Sequence, residues 1–152
     1  MAKVEVSVVI GKPVEEVFAY VMDVGNWPKW NSYLPKVEQT SEGPAGVGTT
    51  FRGSSRFLGR SMEWTSDVTE YEENSKMAQV VTSGSMNMQM AMLFEAVQGG
   101  TKFTMAAEGE FGGFFKLAEG MVNRKWRAQM DESLSNLKKM LEAAGSGPAE
   151  RT

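Results

Sequence analysis

The chain of 152 residues contains no histidine and no cysteine. That removes the commonest general base, the commonest transition-metal ligand and every thiolate mechanism. Acid–base and anion-binding chemistry is left to Asp, Glu, Tyr, Lys, Arg and bound water. Three positions stand out. Arg52 follows Phe51 on a strand heading toward the middle of a sheet, where it could anchor a ligand carboxylate or enolate. Glu119 flanks the apolar stripe of a helix beside Asn123. A carboxyl desolvated there has a raised pKa and can act as an acid or a base. Tyr33 offers a hydroxyl. Each has a plainer reading. Arg52, Arg56 and Arg60 suit solvated strand ends, and Glu119 with Arg124 and Lys125 suits a charged helical flank. No metal or cofactor is expected. No carboxylates cluster at Ca²⁺-site spacing, "GGFFKLAEG" lacks a phosphate-loop pattern, and "GVGTTFRG" does not join a strand to a helix as a dinucleotide fingerprint does.

The segment "SMNMQMAMLFE" carries Met86, Met88, Met90 and Met92, then Phe94. The period is two, so it reads as a strand with one buried face. A slip of one residue would bury Asn87 and Gln89 and expose all four thioethers, which fixes the register. A dense core would favour Val, Ile or Leu here. Met is flexible and polarizable, so it either fills gaps in a closed core or forms an adaptable wall around a hydrophobic ligand. Under the second reading Met62, Trp64, Phe103 and Met105 on neighbouring strands extend the wall. Phe115, Ala118, Met121, Val122 and Trp126 of the final helix then face it. Trp27 and Trp30 either close the open end of the core or form the rim of the hollow.

The elements that must position these side chains follow from pattern. In "MAKVEVSVVI", Val4, Val6, Val8 and Ile10 share one face of a first strand. Pro13 opens a short helix over about residues 13–22, with Val14, Val17, Phe18 and Val21 on its apolar side. Asp23 is placed to cap a second short helix carrying Trp27 and Trp30, with Pro28 tolerated in its first turn. "KVEQT", "GTTFRGSS", "SMEWTSDVTEY", "KMAQVVTS", "MNMQMAMLFE" and "TKFTMAAEGEF" are successive strands parted by turn-type clusters, which predicts an antiparallel meander. From about Gly112 to Ala144 the period becomes helical, with Trp126, Met130, Leu134, Leu137 and Leu141 on one stripe.

A single domain over residues 1–144 with a flexible Gly/Pro-rich tail over 145–152 is expected. Hydrophobic residues make up 41% of the chain, enough to fold around a core, and the formal charge of −3 gives no general attraction to nucleic acid. The N-terminus alternates and lacks a signal-peptide core, and no run approaches the ~18 apolar residues of a membrane span. A cytoplasmic location without stable membrane insertion is the default expectation. Oligomeric state is not legible.

The segments "VVIGKPVEEVFAYVMDVGNWPKWNSYLPKVE", "GPAGVGTTFRG", "VTEYEENSKM", "GGTKFTMAAEGE" and "LSNLKKMLEAA" together resemble the START-like, or Bet v 1-like, superfamily. Within it the likeness is to the bacterial polyketide cyclase/dehydrase and lipid-transport group, over about residues 3–143. The resemblance implies an α+β helix-grip fold: a curved seven-stranded antiparallel sheet, two short helices and a long C-terminal helix enclosing a cavity. It also implies a small hydrophobic or amphipathic ligand, such as a lipid, isoprenoid, quinone or polyketide-like compound. The alternative it implies is a cyclase or dehydratase acting in the same cavity. A cavity passes along a superfamily more readily than a reaction does.

Overall fold

The computed structural model describes residues 2–57, 59–84, 86–110 and 119–144. Seven strands form one sheet: β1 (Ala2–Ile10), β2 (Lys36–Gln39), β3 (Thr50–Phe57), β4 (Arg60–Glu72), β5 (Lys76–Ser83), β6 (Met86–Val97) and β7 (Gly100–Glu110). Their order is β1-β7-β6-β5-β4-β3-β2, and every neighbouring pair is antiparallel. The expected meander runs from β2 to β7, and β1 joins it beside β7. Among the described residues three α-helices accompany the sheet: α1 (Val14–Met22), α2 (Trp27–Trp30) and α3 (Glu119–Ala144), with a 3₁₀ turn over Val24–Asn26. This is the helix-grip architecture the sequence implied. Among the described residues, no helix is long and apolar enough to cross a membrane.

The connection from β1 to β2 follows local rules. α1 is rich in β-branched Val, a modest helix former, so packing must hold it. Val17, Phe18 and Val21 are buried, while Glu15 and Glu16 sit in the first turn, where the helix dipole favours them. The Asp23 carboxylate accepts a hydrogen bond from Gly25 N at 3.1 Å and caps the 3₁₀ turn. Pro28 falls in the first turn of α2, the position where its missing N–H costs least.

α3 buries Val122, Trp126, Met130, Leu134, Leu137 and Leu141 against the inner face of the sheet, in steps of three or four residues. Its polar flank reaches the outer edge of β1. Arg127 Nη1 donates to the Glu5 carbonyl at 3.0 Å, and Lys138 Nζ donates to the Val9 carbonyl at 2.6 Å. Near the C-terminal end the Glu142 carboxylate accepts from Gly11 N at 2.8 Å and from Lys138 Nζ at 2.7 Å. The last turns of α3 are thereby tied to the β1–α1 corner.

The interior has two unlike halves. At the α1 end aromatic rings fill it: Phe18 and Phe94 have centroids 4.9 Å apart, Phe94 and Phe103 5.0 Å, and Trp30 and Phe103 6.1 Å. Such pairs add roughly 0.5–1.5 kcal/mol each beyond their area burial. Toward the other end the side chains change. Along β6, Phe94 and Met92 are buried while Met90, Met88 and Met86 are only half-buried. Across the ladder on β7, Phe103 opposes Phe94 and Met105 opposes Met92, but Ala107 opposes Met90 and Gly109 opposes Met88. Bulk on β7 falls away as β6 turns to Met, and the core gives way to a hollow.

Candidate functional site

That hollow has a volume of about 130 Å³. Its sheet wall is made by Gln79 and Val81 of β5, by Met86, Met88, Met90 and Met92 of β6, and by Met105 of β7. Ser55 and Arg56 of β3 and Met62 and Trp64 of β4 form a second side. Trp27, Asn31, Tyr33 and Leu34 close it from α2 and the loop that follows, and Trp126 and Gln129 of α3 lie across it. The space fits a body of roughly one or two rings, and rotation of Met side chains can enlarge it.

Local bonding fixes much of this wall. Trp27 Nε1 donates to the Val21 carbonyl at 2.6 Å, and Asn31 Nδ2 donates to the Trp27 carbonyl at 3.0 Å. The Trp64 indole lies over Gly53, so closely that a Cβ at 53 would stand 2.7 Å from Trp64 Cζ2. Gln129 Nε2 donates to the Arg56 carbonyl at 3.0 Å, and Arg56 N donates to the Tyr33 carbonyl at 2.7 Å. These bonds join α3, β3 and the loop after α2 at one end of the hollow.

The lining is apolar with few ionisable groups. Among the described residues these are Tyr33 and Arg56, and Arg56 is exposed to solvent. Burial pushes the Tyr33 phenol above its ordinary pKa. The Ser133 hydroxyl on α3 acts in the opposite direction without closing a full hydrogen bond. At neutral pH Tyr33 is therefore a neutral hydroxyl, a donor rather than a base. Gln79 is 5% exposed, and its Oε1 has no partner among the described residues. Among the described residues no group of three or more Asp and Glu is placed to hold a metal. A second depression of about 340 Å³ lies on the outer face of the sheet, above Ala78, Ala91 and Ala106. It is larger, and Lys3, Glu70, Lys76 and Glu108 give it a charged lining.

The family model described as "Polyketide cyclase / dehydrase and lipid transport" matches residues 1–142. The chain belongs to this family. No curated protein matches the sequence. Solved structures share the fold at low identity. TTHA0849 from Thermus thermophilus has a TM-score of 0.82 at 18% identity, with 95% of this chain and 99% of that one covered. The Zhui aromatase/cyclase from Streptomyces sp. R1128 has a TM-score of 0.77 at 18% identity, with 94% and 97% covered. The di-domain ARO/CYC BexL from the BE-7585A biosynthetic pathway has a TM-score of 0.72 at 20% identity. It is matched over 93% of this chain and 47% of that one. At these identities the likeness is one of fold.

Within this family member the residues singled out from sequence part into groups. Met62, Trp64, Met86, Met88, Met90, Met92, Met105, Trp126 and Tyr33 line the hollow. Trp30, Phe103 and Val122 do not, because they are fully buried in the solid core. Met121 is corrected too: it is 39% exposed, one helical position off the buried stripe. Arg52 is a further correction. It points to the outer, solvated side and pairs with Glu38 at 2.6 Å, because its neighbour Phe51 takes the inward position. Asn123 is half-buried outside the lining, with Oδ1 unpartnered among the described residues. Phe115, Ala118, the Glu119 side chain and the 145–152 tail lie outside the described residues. The sequence reading missed Gln79, Asn31 and Gln129. Gln79 carried a usable signal, since period two places it between Met77 and Val81 on the inward face.

Proposed function

We propose that this protein binds a small hydrophobic or amphipathic molecule, of lipid, isoprenoid, quinone or polyketide-like character, in the hollow between sheet and α3. The observation that carries the reading is the wall itself. Six methionines and three tryptophans, Trp27, Trp64 and Trp126, face one space that the neighbouring aromatic core does not fill. A wall of unbranched thioethers adapts to ligand shape, as promiscuous apolar sites do. Family membership supports a ligand-binding role. The test is titration with an environment-sensitive apolar fluorophore, together with native mass spectrometry of the purified protein. Saturable binding at one site is expected. Absence of any apolar ligand, bound or added, would overturn the proposal.

A cyclase or dehydratase acting in the same cavity is the second reading. Tyr33 and Arg56 favour it, because both residues belong to the lining of one apolar space. A phenol held neutral can protonate an enolate oxygen, and Arg can stabilise it. The Zhui and BexL likenesses support the same reading at the level of fold. Turnover of a poly-β-ketone mimic, lost in both Tyr33→Phe and Arg56→Gln, would establish it. Binding without turnover leaves the first reading standing alone.

A further inference from the structure

Five buried side-chain polar atoms lack a partner among the described residues: Trp30 Nε1, Ser66 Oγ, Gln79 Oε1, Asn123 Oδ1 and Ser133 Oγ. Only the one on Gln79 belongs to the lining of the hollow. Gln79 sits in the middle of the sheet, opposite Met90 on β6 and Val68 on β4. Its inward neighbours along β5 are Met77 and Val81. Its Oε1 has given up water without gaining a partner among the described residues, which is costly in an apolar setting.

From these facts we infer that Gln79 is the polar anchor of the hollow and selects a neutral apolar ligand bearing a hydroxyl group, such as a phenol or alcohol. This deepens the binding reading above and rests on it. The hydroxyl follows from the chemistry of the amide. The two ends of a carboxamide exchange by a half-turn of the last torsion, presenting either an acceptor oxygen or a donor NH₂. A hydroxyl satisfies both, because it donates to the one and accepts from the other. A carboxylate does not fit, because among the described lining residues the cationic one is Arg56, which is exposed to solvent. A pure hydrocarbon fits the Met wall but leaves the amide unpaired. The ligand class is therefore an apolar ring or chain with its hydroxyl directed at β5.

The test pairs two probes of nearly equal shape, naphthol and methylnaphthalene, with wild-type protein and Gln79→Met. Dissociation constants from fluorescence titration give the preference for naphthol in each protein, and comparing the two preferences cancels the probes' different affinities for water. Loss of the amide should cut that preference roughly 2- to 12-fold, the range of one net hydrogen bond. An unchanged preference overturns the assignment while leaving the cavity reading intact. Failure of both probes to bind wild-type protein overturns both. A second measurement needs no variant. In a proton–nitrogen correlation spectrum of wild-type protein, the Gln79 side-chain NH₂ resonances should move with naphthol and stay nearly still with methylnaphthalene. Equal movement with both refutes the anchor.

Discussion

Replacing Gly53 with Ala tests how tightly Trp64 is seated. The added Cβ would meet Trp64 Cζ2 at 2.7 Å and Cε2 at 3.0 Å, and would come closer still to the Lys36 carbonyl oxygen. Carbon–carbon contacts are favourable at roughly 3.5–4.0 Å, so the methyl overlaps a rigid ring and the backbone of β2 together. Overpacking of this kind costs about 1–3 kcal/mol. The smaller entropy of an unfolded Ala returns about 0.4–1 kcal/mol. A net loss of up to roughly 2.6 kcal/mol remains, which lowers Tm by up to about 10 °C in a chain of this length. Thermal unfolding followed by far-UV circular dichroism measures it, and tryptophan emission should shift as Trp64 is displaced toward the hollow. Gly46→Ala is the control, because a Cβ there meets nothing within 4 Å and its backbone is unstrained. That variant should melt at or slightly above wild type. A Gly53→Ala protein as stable as Gly46→Ala would refute the reasoning, since β2 would then yield without cost.

Replacing Met88 and Met90 with Leu conserves volume and should cost under about 1.5 kcal/mol by urea unfolding, while narrowing the set of apolar probes bound. An unchanged probe range would count against an adaptive wall. Glu142 is held below its ordinary pKa, chiefly by the Lys138 hydrogen bond and then by Gly11 N–H. A lowered folded pKa gives stability that is present above the unfolded value near ~4.3 and is lost as pH falls through the folded one. Wild type should therefore lose more stability on acidification than Glu142→Gln, and parallel acid-unfolding curves would contradict this. Burial raises Tyr20, Tyr33 and Tyr71, the chain's 3 tyrosines, so the midpoints of an ultraviolet titration should lie above the ordinary phenol value of about 10. A phenol ionising near neutrality would overturn the description of Tyr33 as a neutral donor.

Period-two alternation made the sheet legible, and the register of β6 with it. The Met face could be read because polar Asn87 and Gln89 alternate with it. Arg52 was misplaced although the same rule applied to it, since a buried Phe51 sends its neighbour outward. Gln79 escaped notice because Val80 and Val81 follow it, and two adjacent apolar residues blur which face is inward. Trp30 and Phe103 could not be told from lining residues, because apolar type marks burial without saying whether the space beyond is filled. That depends on pairings across the strands, such as Gly109 against Met88 or Gly53 against Trp64, which the pattern of a single strand does not show.

The reach of α3 across the edge of β1 bears on self-association. An open sheet ends in two strands whose outer backbone groups can recruit a strand from another molecule. At β1 the Glu5 and Val9 carbonyls are already occupied by Arg127 and Lys138, so an incoming strand would have to evict two cations before it gained a ladder. At the opposite edge β2 is four residues long, preceded by Pro35, with Lys36 and Glu38 exposed. A strand so short and charged is a poor template for pairing. A sheet that must stay ajar beneath its helix to keep a hollow is thus closed at its sides, where openness would lead to aggregation.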